Sequence, residues 1–217
     1  KIEDQFKKLP KGYYIQWSGQ YENQVRAEKR LMIIIPITLL VISIILYITF
    51  HSFREVIIVF ISVPVALVGG VYSLYFYGVN FSVAVAVGFI ALFGVAVETG
   101  VLMIAYMNDS IKRLVERKNA ASESISKQDL HDSIFEGAVP RVRPLLMTVL
   151  ANILGLIPIL VSTGTGSDVM KPIAIPFVFG LVSSTIFVLV VLPVFYQVVR
   201  EYELRKTGTL KVLEIEE

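Results

Sequence analysis

Cysteine is absent from the 217 residues of the chain. Without a thiol, the chain cannot form a disulfide, a CxxC redox site, a thiolate zinc site or a cysteine nucleophile. Charge is also scarce, because Asp, Glu, Lys and Arg make up 18% of the sequence, compared with roughly 25% in a soluble domain. A net charge of +2, with no basic stripe interleaved with aromatic residues, argues against a nucleic-acid-binding protein.

The beginning of the chain lacks both an initiating Met and an apolar signal segment, since residues 1–30 are polar. Within them, Tyr13–Ser18 alternates with the period of a half-buried strand. A lone strand does not fold by itself. We therefore expect a piece of a larger protein, in which 1–30 ends an outside domain of α+β type and about Gln20 to Arg30 forms a lead-in helix.

Apolar residues dominate the rest of the chain, which is 55% hydrophobic and has a mean hydropathy of +0.69. A bilayer core of about 30 Å requires roughly 20 apolar residues in a helix. The runs that meet this length are 31–50, 55–77, 81–107, 145–162 and 172–199. The sequence therefore predicts an all-α membrane fold with five transmembrane helices in a domain spanning 31–200.

The connections between these runs alternate between short and long. We expect a four-residue turn at 51–54, and we expect Gly78 to end the second helix. Asn80 and Ser82 can cap the third helix. The long connection 109–144 is predicted to contain a short surface helix, Asp129–Val139, before Pro144 begins the fourth span.

Basic residues indicate the orientation. The side that holds 51–54, 109–144 and the residues after 199 carries twelve Lys and Arg, whereas the opposite loops carry one, Lys171. The positive-inside rule places the tail 201–217 in the cytoplasm. Residues 1–30 then lie on the opposite, outer side, and their seven basic residues fit the end of a long translocated domain, to which the rule does not apply.

Glu98 is the one acidic or basic side chain within these runs and away from their ends. A carboxylate at this depth costs about 2.5–3.5 kcal/mol on insertion scales, so such residues are functional candidates. Its helix face is mostly small and includes Ala91, Gly94 and Ala105. Small residues allow close helix contact, so we expect this face to pack inside the bundle, with Glu98 directed at another helix or a wet cavity.

Two roles for Glu98 remain open from the residues alone. A carboxyl group that takes up a proton on one side of the membrane and releases it on the other is what proton-coupled transport requires. Alternatively, Glu98 stays protonated and only hydrogen-bonds a neighbouring helix, as in a membrane scaffold or sensor.

Other residues are weaker candidates for a role in transport. Asn152 can bond across helices or line a proton path. Met170 lies in an outward loop, and one methionine is a poor metal site without further ligands. Met103 and Met107 are expected to pack or to face lipid. No constellation indicates an enzyme or a bound cofactor.

Several segments together resemble a known family. In chain order they are KGYYIQWSGQYE, FREVIIVFISVPVALVGG, FSVAVAVGFIALFGVAVETGVLMIAY, EGAVPRVRPLLMTV and GLIPILVSTGTGSDVM. Over about residues 9–200 they resemble the C-terminal membrane half of resistance-nodulation-division (RND) permeases, and most of all the heavy-metal-efflux branch. The glutamate in GVAVETG is similar to that of the copper/silver (CusA-type) permeases.

This resemblance implies the last five of twelve transmembrane helices of a proton-driven exporter of Cu(I) or Ag(I) in a bacterial inner membrane. It also implies a homotrimer that works with a periplasmic adaptor and an outer-membrane channel. By the same resemblance, Glu98 matches a proton-relay glutamate and Met170 matches a methionine of the metal path.

The sequence departs from the copper/silver branch at Leu145, where the resemblance leads us to expect a relay lysine. Either another cation replaces that lysine or the relay differs. An exporter of divalent metals or of small organic molecules remains an alternative.

Overall fold

A computed structural model of the chain describes residues 20–121, 123 and 125–207. Its helices are α1 (Gln20–Phe50), α2 (Phe53–Tyr77), α3 (Val83–Ala120), α4 (Lys127–Val161), α5 (Ser167–Ile186) and α6 (Leu192–Thr207), with a π-helical turn, Phe187–Val191, joining the last two. The described ranges contain no strand. The strand predicted at Tyr13–Ser18 and most of the predicted tail lie outside the described residues.

The described helices include five stretches long and apolar enough to cross a bilayer. α1 contributes Val25–Phe50, whereas α5, the π turn and α6 together form one stretch, Ser167–Arg205. The predicted all-α membrane fold is confirmed. The lead-in helix expected from Gln20 is also confirmed, because α1 begins at that residue.

The chain divides into two compact units, Lys1–Val41 and Ile42–Glu217. In the first, the described residues form the beginning of α1. In the second, α3 supplies the centre of the core, where Leu92, Ile104 and Met107 are fully buried. Met103 is buried there too, so both α3 methionines pack inside the described bundle, which is one of the two outcomes expected for them.

The short connections follow local backbone chemistry. Gly78 ends α2 with φ of 63°, a left-handed conformation that glycine adopts without a side-chain clash. The hydroxyl of Ser82 accepts a hydrogen bond from the Val85 N–H at 3.4 Å, which caps α3. Both predictions are confirmed. The turn after α1 is shorter than predicted, because α2 already begins at Phe53 and so includes Arg54 and Glu55 in its first turn.

The predicted connection 109–144 is mostly helical and belongs to the two long helices. α3 has 38 residues and α4 has 35, which correspond to about 57 and 52 Å. The separate surface helix Asp129–Val139 was a wrong prediction, and Pro144 lies inside α4 instead of at its start. The helix continues because its early turns pack on α3, where Gly137 lies so close that a Cβ atom would be 2.8 Å from the Tyr106 carbonyl oxygen.

The π turn sets the direction of the last helix. From α5 to α6, buried residues that point into the bundle are spaced four positions apart, namely Ser184, Val188, Leu192, Tyr196 and Arg200. In an α-helix, four such steps drift by about 160° around the axis. The π turn, in which the Leu192 N–H bonds to the Phe187 carbonyl, holds one additional residue and turns the following segment back by about 100°. Tyr196 and Arg200 therefore also point inward.

Close helix contact at Gly88 provides a stability prediction. A Cβ atom there would overlap the Ile173 carbonyl oxygen of α5, whereas one at Gly155 would meet nothing within 4 Å among the described residues. We expect Gly88→Ala in the full-length protein to lower the free energy of unfolding in detergent micelles by about 1–3 kcal/mol. Gly155→Ala, the matched control, is expected to be neutral or stabilising. Equal effects of the two variants would contradict this contact.

Candidate functional site

Glu98 lies in the apolar part of α3 and is exposed within the described chain. None of the described residues forms a hydrogen bond or ion pair with it. Its neighbours Ala91, Gly94 and Leu102 on the same face are exposed as well. A Cβ atom at Gly94 would meet nothing within 4 Å.

The expected packing of this face is therefore not met by the described helices. The buried residues of α3, such as Leu92, Ala96 and Met103, lie on its other sides, where α2, α4 and α5 pack. The small-residue face that carries Glu98 is open, although its composition is that of a helix contact. Within the unit Ile42–Glu217, no described helix covers this face.

The two predicted positions on α4 differ in their surroundings. Asn152 is half-buried, and no described hydrogen bond joins it to Glu98 or to another side chain. Leu145 is 9% exposed and belongs to the apolar core. One helical turn before Leu145, the Arg141 guanidinium stacks over the Tyr106 ring of α3, 3.1 Å from its centroid.

Met170 was wrongly predicted to lie in a loop: α5 already begins at Ser167, so Met170 lies in its first helical turn, where it is half exposed. It borders an open cavity of about 300 Å³, whose other lining residues are Pro158, Ile159, Ser162, Gly164, Thr165, Gly166 and Ser167. Its single thioether is the one soft ligand in this lining, and Cu(I) or Ag(I) would require further soft ligands. Among the described residues, no group of three or more His, Asp or Glu side chains could hold a metal ion.

A buried polar cluster lies at the end of the bundle where α6 leaves the apolar core. We call it the Arg200 cluster, and its members are Arg54, Glu55, Asn108, Tyr196, Arg200 and Glu203. They come from α2, α3 and α6. Glu55 is 2% exposed and Arg200 is 9% exposed. Charged side chains are rarely buried to this extent unless they are paired.

The centre of the cluster is the guanidinium of Arg200. It donates to the carboxylate of Glu55 at 2.6 Å, to the hydroxyl of Tyr196 at 3.0 Å and to the side-chain oxygen of Asn108 at 2.9 Å. Asn108 in turn donates to the second oxygen of Glu55 at 2.6 Å and accepts from the Tyr196 hydroxyl. The bonds form closed rings, which is what a buried polar group needs to offset lost hydration.

Charge within the cluster is balanced. Glu203 joins the guanidinium groups of Arg54 and Arg200, at 2.7 and 3.0 Å. Arg54, with its side chain 63% exposed, reaches the surface, whereas Glu55 and Arg200 remain inside. Two positive and two negative groups sum to zero. The buried negative charge of Glu203 is balanced from the surface by Arg54.

Sequence reasoning missed this cluster because its charged members lie at the ends of the apolar runs. Glu55 begins one run and Arg200 directly follows another, so both resemble the solvated flanks of a transmembrane helix. Their opposite charges at ends assigned to the same side of the membrane were an available signal. Asn108, directly after the run 81–107, was another.

Comparison with known proteins identifies the family. The family model described as AcrB/AcrD/AcrF matches residues 1–200. The chain belongs to the AcrB/AcrD/AcrF family. That membership agrees with the RND resemblance of its motifs and with the five apolar helices found among the described residues.

Relatives within the AcrB/AcrD/AcrF family include metal-related proteins. The chain is 41% identical over 189 residues to the cation efflux system protein CusA of Escherichia coli K12, a match that covers 87% of this chain and 18% of that protein. It is 37% identical over 190 residues to the cobalt-zinc-cadmium resistance protein CzcA of Cupriavidus metallidurans, covering 88% of this chain and 17% of that one.

The fold agrees with that of a solved structure. A crystal structure of a heavy metal efflux pump matches with a TM-score of 0.71 and 36% identity, over 92% of this chain and 19% of the pump. The chain thus spans less than a fifth of the length of these relatives. It is a multi-pass membrane segment of the AcrB/AcrD/AcrF type.

Proposed function

We propose that the full-length protein is a proton-driven exporter of heavy-metal cations, with Cu(I) or Ag(I) as its cargo, and that Glu98 carries the proton. It would work in a bacterial inner membrane, as the RND resemblance implies. It would act as a homotrimer with a periplasmic adaptor and an outer-membrane channel, with residues 1–30 periplasmic and the C-terminus cytoplasmic.

The observation that carries the proposal is the open face around Glu98. A carboxyl group in the middle of an apolar helix is costly against lipid, by about 2.5–3.5 kcal/mol on insertion scales. The described helices leave it exposed, and more than four fifths of each relative lies outside the matched segment. These observations support a carboxyl group that is covered by another part of the full-length protein and so lies between two parts of a bundle.

The cargo is inferred from relatives and from the acid itself. One named relative is a cation efflux protein and the other a cobalt-zinc-cadmium resistance protein, and the compared crystal structure is a heavy metal efflux pump. The glutamate in GVAVETG resembles that of the copper/silver permeases, and this resemblance supports monovalent copper or silver as the cargo. The half-exposed thioether of Met170 supports a soft cation, because thioethers prefer Cu(I) to Zn²⁺ or Co²⁺.

Reconstituted full-length protein tests the proposal directly. Proteoliposomes with a trapped pH dye are supplied with Cu(I) or Ag(I), with Zn²⁺ or Co²⁺, or with a small organic cation, under an imposed proton gradient. We expect proton flux that depends on Cu(I) or Ag(I) and rises with its concentration. The control is liposomes without protein.

The other outcomes would each contradict part of the proposal. Flux driven by Zn²⁺ or Co²⁺ alone would overturn the monovalent cargo. Flux driven by the organic cation alone would overturn metal transport. An absence of flux with every cargo would favour a scaffold or sensor, in which Glu98 only contacts a neighbouring helix.

A further inference from the structure

The Arg200 cluster joins the helix that carries Glu98 to two other helices. Asn108 is the α3 member, and it follows Glu98 by ten residues. That separation is about 15 Å along the axis and about 80° around it. Fixing the direction of the Asn108 side chain therefore also fixes the direction in which Glu98 points.

The contacts of Asn108 are strongly directional. Its amide nitrogen donates to Glu55 of α2 at 2.6 Å, while its oxygen accepts from Arg200 of α6 at 2.9 Å and from the Tyr196 hydroxyl. Partners on two helices thus hold one side chain from two directions. Rotation or sliding of α3 would break bonds to both helices at once.

Stability alone is a weak explanation for such a cluster. A buried ion pair is often no more stabilising than apolar side chains of similar volume, because each charge has lost its hydration. A hydrogen-bonded network differs from apolar packing in having one preferred geometry. The π turn Phe187–Val191 further supports a directional role, because it turns Tyr196 and Arg200 toward Asn108.

We propose that Asn108 and Arg200 are positioning residues for Glu98, which fix the rotation and the depth of α3 through the Arg200 cluster. The proposal rests on the proposed function of Glu98 as proton carrier. Neither residue touches the proton or the cargo. Their contribution is to place the Glu98 carboxyl group against the part of the protein that covers it. A shift of a reacting group by about 1 Å can cost on the order of a hundredfold in rate.

The test uses full-length protein in proteoliposomes and the pH profile of Cu(I)-dependent proton flux. The first variant combines Glu55→Gln with Arg200→Gln, which removes both charges and so leaves no buried charge unpaired. The second, Tyr196→Phe, keeps the ring and all four charges but removes the hydroxyl that holds Asn108. The matched control is Arg113→Gln, an exposed cation on α3 that pairs with Asp109 of the same helix.

We expect the double variant to melt within a few degrees of the unmodified protein. Its flux should nevertheless fall by at least about tenfold, or the midpoint of its pH profile should move by at least about half a unit. Tyr196→Phe should show a smaller change of the same kind. Arg113→Gln should be unchanged in both.

Failure of the positioning role and failure of the proposed function give different results. If Glu98→Gln abolishes flux but the double variant and Tyr196→Phe both keep the rate and pH profile of the control, the positioning role is overturned and the proposed function stands. If Glu98→Gln leaves flux intact, the proposed function fails and the positioning role fails with it. Should the double variant not fold, Tyr196→Phe alone decides between these outcomes.

Discussion

Glu98→Gln in the full-length protein is expected to reduce Cu(I)-dependent proton flux by at least about a hundredfold and to abolish cellular copper resistance. Glutamine has the same size and can hydrogen-bond, but it cannot take up and release a proton. Removing a group that transfers protons costs about 10²–10⁴ in rate in enzymes, and we apply the same scale here. Initial flux in proteoliposomes and growth on copper provide the two measurements.

The matched control is Glu116→Gln. It makes the same substitution on the same helix, at an exposed position near the end of α3, and should leave flux and resistance unchanged. Both variants should retain the elution profile of the assembled protein in detergent. Flux of Glu98→Gln at the level of Glu116→Gln would remove Glu98 from the proton path.

The second large effect is expected for Arg200→Met, on the free energy of unfolding. Arg200→Met leaves Glu55, which is 2% exposed, without its cationic partner. Breaking a buried ion pair from one side typically costs about 3–5 kcal/mol, because the remaining charge is buried and uncompensated. We expect a loss of this size in the free energy of unfolding, measured by denaturant titration of the purified full-length protein in micelles.

Two companion variants separate the charge effect from loss of packing. Glu55→Leu combined with Arg200→Met removes both charges and should recover most of the lost stability. Arg205→Met removes an exposed arginine that pairs with Glu201 one turn away, and it should change stability by no more than about 0.5 kcal/mol. If Arg200→Met behaves like Arg205→Met, the cluster contributes nothing to folding.

Much of the fold could be predicted because a helix that spans a membrane is visible in the sequence as a long uncharged run. Backbone groups in lipid must bond within their own helix, so long uncharged runs correspond to helices. Gly78 and Ser82 were predictable for a similar reason, since a left-handed turn and a helix N-terminus each favour a few residue types.

The extent of α3 and α4 could not be read from hydropathy. Outside the bilayer a helix no longer needs to be apolar, and its continuation depends on contacts with a neighbour. The Ser110 and Ser133 hydroxyls hydrogen-bond across α3 and α4 at 3.5 Å, and Gly137 allows the backbones to approach. Such pair contacts are long-range in sequence and carry no periodic signal of their own.

For the candidate site, the ionisable residue could be predicted better than the helices that surround it. Glu98 stands out in the sequence because it is the one charge deep within an apolar run. Which helix faces it could not be inferred from a small-residue face alone, because that pattern indicates contact without naming the partner. The Arg200 cluster was missed because a charge at a helix end looks solvated until its partner is known.

The length of α3 gives its attachment at Asn108 a mechanical consequence. Glu98 lies about 15 Å to one side of Asn108 and Ala120 about 18 Å to the other. If α3 tilts by about 10° with Asn108 as the fixed point, simple geometry moves Glu98 by about 2.6 Å and Ala120 by about 3.1 Å in the opposite direction. α3 would then act as a lever, and a spin label or fluorophore near Ala120 would detect movement at a carboxyl group about 33 Å away.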